Sequence, residues 1–134
     1  SDVYKRQILN DVSARDVQTA HKQWYFGKSL DGFTPIGPCI VTADAFADYP
    51  PRLGIRSFVN GEKRQDSNTA LQIFDIDHVI AELSQGMTLK AGTIIATGTP
   101  AGVGMGMDPP QFLKPGDVVR CEIEGIGTLT NPVK

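Results

Sequence analysis

The sequence has little cysteine and histidine, no long apolar run and no excess of positive charge. Two cysteines and two histidines among 134 residues offer little material for a disulfide framework or a Cys/His metal cluster. Cys39 and Cys121 lie in apolar settings 82 positions apart, which favours two buried free thiols over a disulfide or a metal pair. We therefore assign no function to the cysteines.

The absence of long apolar runs and of a basic face limits the partners of the protein. No segment approaches the roughly 18 to 20 apolar residues that span a bilayer, and no signal-peptide pattern is present. The chain carries 13 basic and 15 acidic residues, a net charge of −2, so nothing suggests a nucleic-acid surface. We expect a cytoplasmic protein with no membrane partner and no nucleic-acid partner.

Glycine and proline are abundant, and they separate short apolar runs. Fourteen glycines and nine prolines in this arrangement predict a mainly β fold with a few short helices. The predicted strands are residues 39–46, 53–60, 93–98, 117–125 and 128–133. Asn60-Gly61 predicts a hairpin turn, because both residues tolerate positive φ. The acidic residues from Asp75 and the glycine at Gly86 predict the start and the end of a helix.

The first residues of the chain resemble the translation of a sequencing adapter. Residues 2–7, DVYKRQ, match the translation of a transposon end that is used to build sequencing libraries. We therefore interpret residues 1–7 as a non-native tail and residues 8–134 as a partial domain truncated at its N-terminus. The alternative, a short native strand or tail, stays open.

Four stretches combine polar side chains with turn residues and are the candidates for chemistry. They are NDVSARDVQ, FGKSLDGFTPIGP, NGEKRQDSNT and IIATGTPAGVG. An aspartate beside an asparagine, a lysine in a Gly-Lys-Ser turn and a Thr-Gly loop together suit a metal ion and an anionic substrate. Singly they are weak, because Asp11 alone fits a turn residue and Lys28 alone fits a surface charge. Nucleotide binding is disfavoured, since Lys22 replaces the first glycine of a phosphate loop.

In this order and spacing, the four stretches and the C-terminal FLKPGDVVRCEIEGIGTLTNPV resemble the catalytic domain of the fumarylacetoacetate hydrolase superfamily. The resemblance extends from Ile8 to Lys134, and it is strongest to bacterial members and to the group called fumarylacetoacetate hydrolase domain-containing protein 2. It implies a mixed β-roll that forms a homodimer in the full-length parent. It also implies a metal cofactor, Mg²⁺ or Mn²⁺ with Ca²⁺ as a third candidate, and a small-molecule oxo-acid or its enol as substrate.

The resemblance also assigns roles to individual residues. The family holds its cation with a Glu-x-Glu pair and with the aspartate of an Asn-Asp motif, which is Asp11 here. Lys28 and Arg15 correspond to catalytic residues, and Gln18 and Thr99 to residues that contact the substrate. The implied reactions are C–C hydrolysis of acylpyruvate-type substrates, decarboxylation, and isomerisation of the 2-hydroxyhepta-2,4-diene-1,7-dioate type.

One part of the family pattern is missing from this sequence. The Glu-x-Glu pair precedes the Asn-Asp motif in the family, together with lid residues, and neither is present. Glu122 and Glu124 share a strand face, but we interpret them as the solvent face of an amphipathic strand whose inner face carries Cys121 and Ile123. His21 is interpreted as an exposed loop residue.

The resemblance therefore predicts a metal-dependent enzyme, with two rival interpretations. The first rival is a non-catalytic β-roll kept for oligomerisation, which the joint presence of the five polar residues assigned above disfavours. The second rival is an inert, truncated product of an enzyme gene. We expect the chain alone to be inactive, because two of the three implied carboxylate ligands are absent from it.

Overall fold

A computed structural model of the protein describes residues 5–20 and 22–134. Within these residues, six strands form two antiparallel sheets, joined by two helices and several short 3-10 turns. The strands are β1 (Lys5–Leu9), β2 (Ile36–Thr42), β3 (Gly54–Val59), β4 (Glu62–Asn68), β5 (Val118–Ile123) and β6 (Gly127–Pro132). The helices are α1 (Arg15–Ala20) and α2 (Ile76–Ser84). The predicted mainly β fold is confirmed.

The larger sheet has the strand order β4-β3-β5-β6, and β1 and β2 form the second sheet. The predicted Asn60-Gly61 turn joins β3 to β4, and its residues have φ values of 51° and 84°. The side chain of Asn60 also links this turn to β5, because its Oδ1 accepts a hydrogen bond from the Val118 amide at 2.9 Å. The turn therefore fixes three strands of the sheet at one end.

The predicted helix is confirmed as α2. Asp75 precedes it, and its Oδ1 accepts a hydrogen bond from the His78 amide at 2.8 Å, as an N-cap residue does. At the other end, the Gly86 amide donates to the Leu83 carbonyl at 3.3 Å. Val79, Ile80 and Leu83, whose spacing places them on one face of the helix, are half-buried.

The hydrophobic core lies where the small sheet packs against β5 and β6. Ile8 of β1, which is 2% exposed, is its centre, with Leu53 and Ile126 beside it. The partly buried side chains around them are Val41, Phe46, Cys121, Ile123 and Leu129. Cys121 and Ile123 thus lie on the inner face of β5, as predicted.

Two strand predictions need correction. Residues 93–98 form no strand, because within the described chain no backbone hydrogen bond joins residues 94–98 to a neighbouring strand. Ile94 is 62% exposed, so its β-branched side chain also has no sheet face to pack against. The predicted strand at residues 39–46 begins earlier, at Ile36, and ends at Thr42, because a 3-10 turn at Ala43–Ala45 follows it.

The prediction of two buried thiols is half correct. Both cysteines are free, and Cys121 is half-buried, which raises the pKa of its thiol. Cys39 is exposed, although its Sγ lies 3.4 Å from the Ile126 carbonyl oxygen.

Two further sequence predictions concern the ends and the environment of the chain. Lys5, Arg6 and Gln7 form part of β1, and Lys5 pairs with Thr42 of β2. Strand pairing does not depend on the origin of a segment, so a non-native tail at residues 1–7 stays a prediction. In the part of the chain that is described, neither helix has the length and apolar character needed to cross a membrane.

Candidate active site

The loop after β1 and a short turn further along the chain bring Asp11 and Lys28 into contact. Asp11 lies between β1 and α1, and Lys28 ends a 3-10 turn at Phe26–Lys28. The Nζ of Lys28 lies 2.5 Å from Asp11 Oδ2 and donates a second hydrogen bond to Ser13 Oγ at 3.0 Å. The predicted metal ligand and the predicted catalytic cation are therefore direct neighbours, although 17 positions separate them.

The other two residues predicted near them, Arg15 and Gln18, lie on α1. They are one turn apart, and Arg15 Nη1 donates to Gln18 Oε1 at 2.8 Å. Gln18 is only 3% exposed, the one buried polar side chain in the described residues. Its carbonyl is used by Arg15, so its amide nitrogen is the group left to meet a ligand.

Close backbone packing holds α1 against the turn that carries Lys28. The Ala14 amide donates to the Gly27 carbonyl at 2.8 Å, and the Gln18 amide donates to the Ala14 carbonyl at 2.8 Å. Gly27 is buried at this contact. The glycine before the lysine thus has a packing role, because the helix and the turn meet with no space for a side chain.

Thr99 belongs to a different set of contacts. Its Oγ1 accepts a hydrogen bond from Gln65 Nε2 of β4 at 2.8 Å, and the same nitrogen donates to the Pro100 carbonyl at 2.8 Å. No described contact joins Thr99 to Asp11 or to Lys28. The structure therefore brings four of the five predicted residues together in two adjacent pairs and places Thr99 on the loop beside β4.

Glu122 of β5 and Glu124, which follows this strand, are occupied by structural contacts. Glu124 Oε2 accepts a hydrogen bond from the Gly54 amide at 3.1 Å, and Glu122 Oε1 lies 3.1 Å from Arg120 Nε. In the described residues, no group of three histidine, cysteine, aspartate or glutamate side chains is arranged to hold a metal ion. These contacts agree with the interpretation of Glu122 and Glu124 as a solvent face.

The histidines and the aromatic residues before Lys28 have no assigned role in the site. His21 lies outside the described residues. His78 stacks on Phe74, with ring centroids 4.7 Å apart, as expected for a surface helix residue. The aromatic residues before Lys28 are largely exposed; they are Trp24 at 65%, Tyr25 at 75% and Phe26 at 54%.

Two residues of the site were assigned no role from the sequence. Ser13 contacts Lys28, and its position two residues after Asp11 in a dense polar stretch was the available signal. Gln65 also lies in one of the four polar stretches, NGEKRQDSNT, but nothing in that stretch distinguishes it from an ordinary surface glutamine. A third feature is the buried Asn10 Nδ2, beside Asp11, which has no hydrogen-bond partner in the described chain. Such a donor normally finds an oxygen acceptor.

Comparison with known proteins defines the family. The model of the fumarylacetoacetate hydrolase C-terminal domain matches residues 6–134, so the chain belongs to this family. It is 49% identical to oxaloacetate tautomerase YisK of Bacillus subtilis over 98% of this chain and 43% of that protein. It is 50% identical to the mitochondrial oxaloacetate tautomerase fahd2 of Xenopus laevis, over 94% of this chain and 40% of that protein.

Solved structures show the same relationship. The fumarylacetoacetate hydrolase of Exiguobacterium antarcticum superposes with a TM-score of 0.91 at 55% identity, covering 96% of this chain and 46% of that one. The 2-hydroxyhepta-2,4-diene-1,7-dioate isomerase of Mycobacterium marinum gives a TM-score of 0.81 at 47% identity, covering 94% and 46%. The predicted family and its fold are confirmed, and the chain spans less than half the length of these relatives.

Proposed function

We propose that this sequence is the C-terminal catalytic part of a divalent-metal-dependent enzyme that interconverts the keto and enol forms of a small dicarboxylic oxo-acid such as oxaloacetate. The observation that carries the proposal is the contact of Lys28 with Asp11 and Ser13, beside the Arg15–Gln18 pair. Two relatives about half identical to the chain are named oxaloacetate tautomerases, which favours this reaction among those of the family.

Asp11 is suited to be one ligand of a hard cation. Asp11 Oδ2 faces Lys28, and Oδ1 accepts no hydrogen bond in the described chain. Mg²⁺ and Mn²⁺ commonly take one or two carboxylates, with waters and substrate oxygens completing the shell. We propose Asp11 as one ligand and assign the others to a Glu-x-Glu pair in the longer protein. The bound cation would polarise the oxo and carboxylate oxygens of the substrate.

Lys28 is suited to stabilise negative charge on the substrate. An ammonium group has three N–H donors, and the contacts with Asp11 and Ser13 use two of them. The third donor is left for an oxygen of the substrate, where charge develops as the proton leaves the neighbouring carbon. Asp11 and Ser13 fix the position of the ammonium group in advance, so little reorganisation accompanies the reaction.

Arg15 is suited to bind a carboxylate of the substrate. A guanidinium group has five N–H donors in a rigid fork, and the described contacts use one of them, on Gln18. Because Gln18 is buried, this contact fixes the direction of the guanidinium group. We propose Gln18 and Thr99 as additional substrate contacts, with the Thr99 hydroxyl donating to a carboxylate oxygen.

The proposal is tested with the full-length protein that contains this sequence. The enol of oxaloacetate absorbs in the ultraviolet, so its conversion is followed directly, with Mg²⁺ or Mn²⁺ and after chelation. We expect metal-dependent conversion that Asp11→Asn abolishes and Glu124→Gln leaves unchanged, since a glutamine oxygen still accepts from the Gly54 amide. Parallel assays measure decarboxylation of oxaloacetate and hydrolysis of an acylpyruvate. Inactivity in all three assays would favour the non-catalytic oligomerisation domain.

We also propose that the full-length protein is a cytoplasmic homodimer. Support comes from apolar side chains that are exposed in the single chain, among them Ile73 at 92% and Leu71 at 74%. Size-exclusion chromatography with light scattering should show a discrete dimer for the full-length protein and ill-defined oligomers for this chain alone. A well-behaved monomer in either case would contradict this part of the proposal.

A further inference from the structure

We propose that Gln65 is a positioning residue that makes the Thr99 hydroxyl a hydrogen-bond donor toward the substrate. The inference rests on the proposed function, in which Thr99 contacts a substrate carboxylate. Its structural basis is a chain of three side chains on β3, β4 and the loop that follows residue 98. Ser57 Oγ donates to Gln65 Oε1 at 2.8 Å, and Gln65 Nε2 donates to Thr99 Oγ1 at 2.8 Å.

The contacts fix the orientation of the Gln65 amide. Ser57 and Gln65 are opposite each other in the β3–β4 pairing, so both side chains stand on the same face of the sheet. The Pro100 carbonyl can only accept a hydrogen bond, so the group that faces it at 2.8 Å is the amide nitrogen of Gln65. The amide oxygen must therefore face Ser57, and both N–H donors of Gln65 point to the loop.

This orientation determines what the Thr99 hydroxyl does. A threonine hydroxyl has one donor and two acceptor sites, and here Gln65 occupies an acceptor site. In the described residues, the Thr99 hydroxyl donates to no acceptor, so its proton is left for a ligand. A carboxylate oxygen accepts hydrogen bonds only, and a hydroxyl that already accepts one is a stronger donor.

The backbone of the same loop packs closely against β4 at a second point. Gly102 has a φ of +104°, and a side chain there would overlap the Arg64 carbonyl oxygen and approach Gln65 Cγ to 3.1 Å. Residues 99–102 are thus attached to β4 through Gln65 on one side and by close packing at Gly102 on the other. Because a strand is more rigid than a loop, the hydrogen bond from Gln65 holds Thr99 in a fixed position relative to the sheet.

The test is a double-mutant cycle on the KM of the full-length enzyme for enolic oxaloacetate. Gln65→Met keeps the size of the side chain and removes its hydrogen bonds. We expect KM to rise about 2- to 13-fold, the range for one neutral hydrogen bond, with kcat changed less. Thr99→Val should raise KM similarly, and Gln65→Met should add little in the Thr99→Val background. Gln85→Met, at an exposed glutamine that directly follows α2, is the control and should leave KM unchanged.

The possible outcomes separate the inference from the proposed function. If Thr99→Val raises KM but Gln65→Met does not, or if Gln65→Met acts equally in both backgrounds, the positioning role is wrong. If Thr99→Val changes nothing, the substrate role of Thr99 is wrong and the inference fails with it; Lys28→Met and Asp11→Asn still test the reaction itself. Ser57→Ala keeps Gln65 but removes the hydrogen bond that orients its amide, so it should give a smaller rise in KM. This variant still tests the positioning role if Gln65→Met does not fold.

Discussion

A side chain on Gly27 would place its Cβ 2.8 Å from Gln18 Cβ and 2.8 Å from Gln18 N. The Ala14 carbonyl oxygen would be almost as close, at 2.9 Å. Two of these three atoms belong to the backbone and cannot rotate away. Gly27, which precedes the proposed catalytic lysine, is thus confined by the first turn of α1. The Asp11–Lys28 pair and the Arg15–Gln18 pair therefore depend on the same contact.

Gly27→Ala should therefore destabilise the protein and impair the site. Overpacking at a closely packed position costs about 1 to 3 kcal/mol, so we expect a loss of this size in the free energy of unfolding. Turnover should fall as well, because a shift of the turn moves the ammonium group of Lys28 away from Asp11. Urea unfolding and the enol assay on the full-length protein measure the two effects.

Gly86→Ala is the matched control for this substitution. Apart from its chain neighbours, Gly86 has no atom within 4 Å of the position that a Cβ would take, so an added methyl group meets open space. We expect a change within about 0.5 kcal/mol, as for most surface substitutions. Equal stability of the two alanine variants would show that α1 moves to accommodate Gly27→Ala.

Asp11→Asn and Lys28→Met should separate metal binding from electrostatic stabilisation. The first keeps the shape of a proposed ligand and removes its charge, so the affinity for Mg²⁺ or Mn²⁺ should fall and turnover with it. The second should leave metal affinity largely intact and lower kcat, because one well-placed donor to a developing oxyanion contributes about 2.7 to 4 kcal/mol. Metal titration and steady-state kinetics on each variant are the measurements. A loss of metal affinity in Lys28→Met equal to that in Asp11→Asn would contradict these roles.

The chain without the rest of the full-length protein should bind divalent metal weakly. Among the described residues, Asp11 is the single carboxylate that pairs with Lys28, and no three-residue ligand group is present there. Each missing carboxylate removes a charged ligand from the shell of the ion. Calorimetric titration with Mg²⁺ and Mn²⁺ should show no saturable 1:1 binding. Tight binding that Glu122→Gln or Glu124→Gln removed would instead indicate a metal site at the C-terminal end of β5.

Local signals in the sequence predicted local structure well and longer-range structure less well. Asn60-Gly61 and the Asp75 cap succeeded because their geometry depends on neighbouring residues only. The strand prediction at residues 93–98 was wrong, because a strand also requires a hydrogen-bonding partner, which composition does not show. Similarly, the exposure of Cys39 depends on what covers β2, and this is a property of the tertiary fold.

The residues of the candidate site were also predictable from the sequence only in part. Nothing in the spacing of Asp11 and Lys28 indicates that their side chains meet; the resemblance to a known family grouped them, and the structure then showed the contact. Ser13 was visible as part of a polar stretch but had no assigned partner. Gln65 was also part of a polar stretch, but its role could not be assigned, because that role depends on the amide orientation that Ser57 and Pro100 impose.

The carboxylate of Asp117 should make the stability of the chain depend on pH in the acid range. Its Oδ1 accepts a hydrogen bond from Asn60 Nδ2 at 2.8 Å, and its Oδ2 accepts one from the Lys114 amide at 2.8 Å. These bonds, that of Asn60 first, lower the pKa of Asp117 below its ordinary value. A carboxyl group with a lowered pKa in the folded state stabilises the fold when it is ionised.

The sign of the effect follows from linkage. The stabilisation is fully present above the unfolded pKa of about 3.9, and it is lost as the pH falls from there through the lower pKa of the folded state. Asp117→Asn has no such titration, and its amide cannot accept from both donors, so it should lower stability at neutral pH and flatten the acid slope. Asn60→Ala, which removes the larger cause of the shift, should flatten the slope too. Urea unfolding of the full-length protein from neutral pH to below the unfolded pKa measures both variants, and an acid slope in Asp117→Asn as steep as in the unsubstituted protein would refute the assignment.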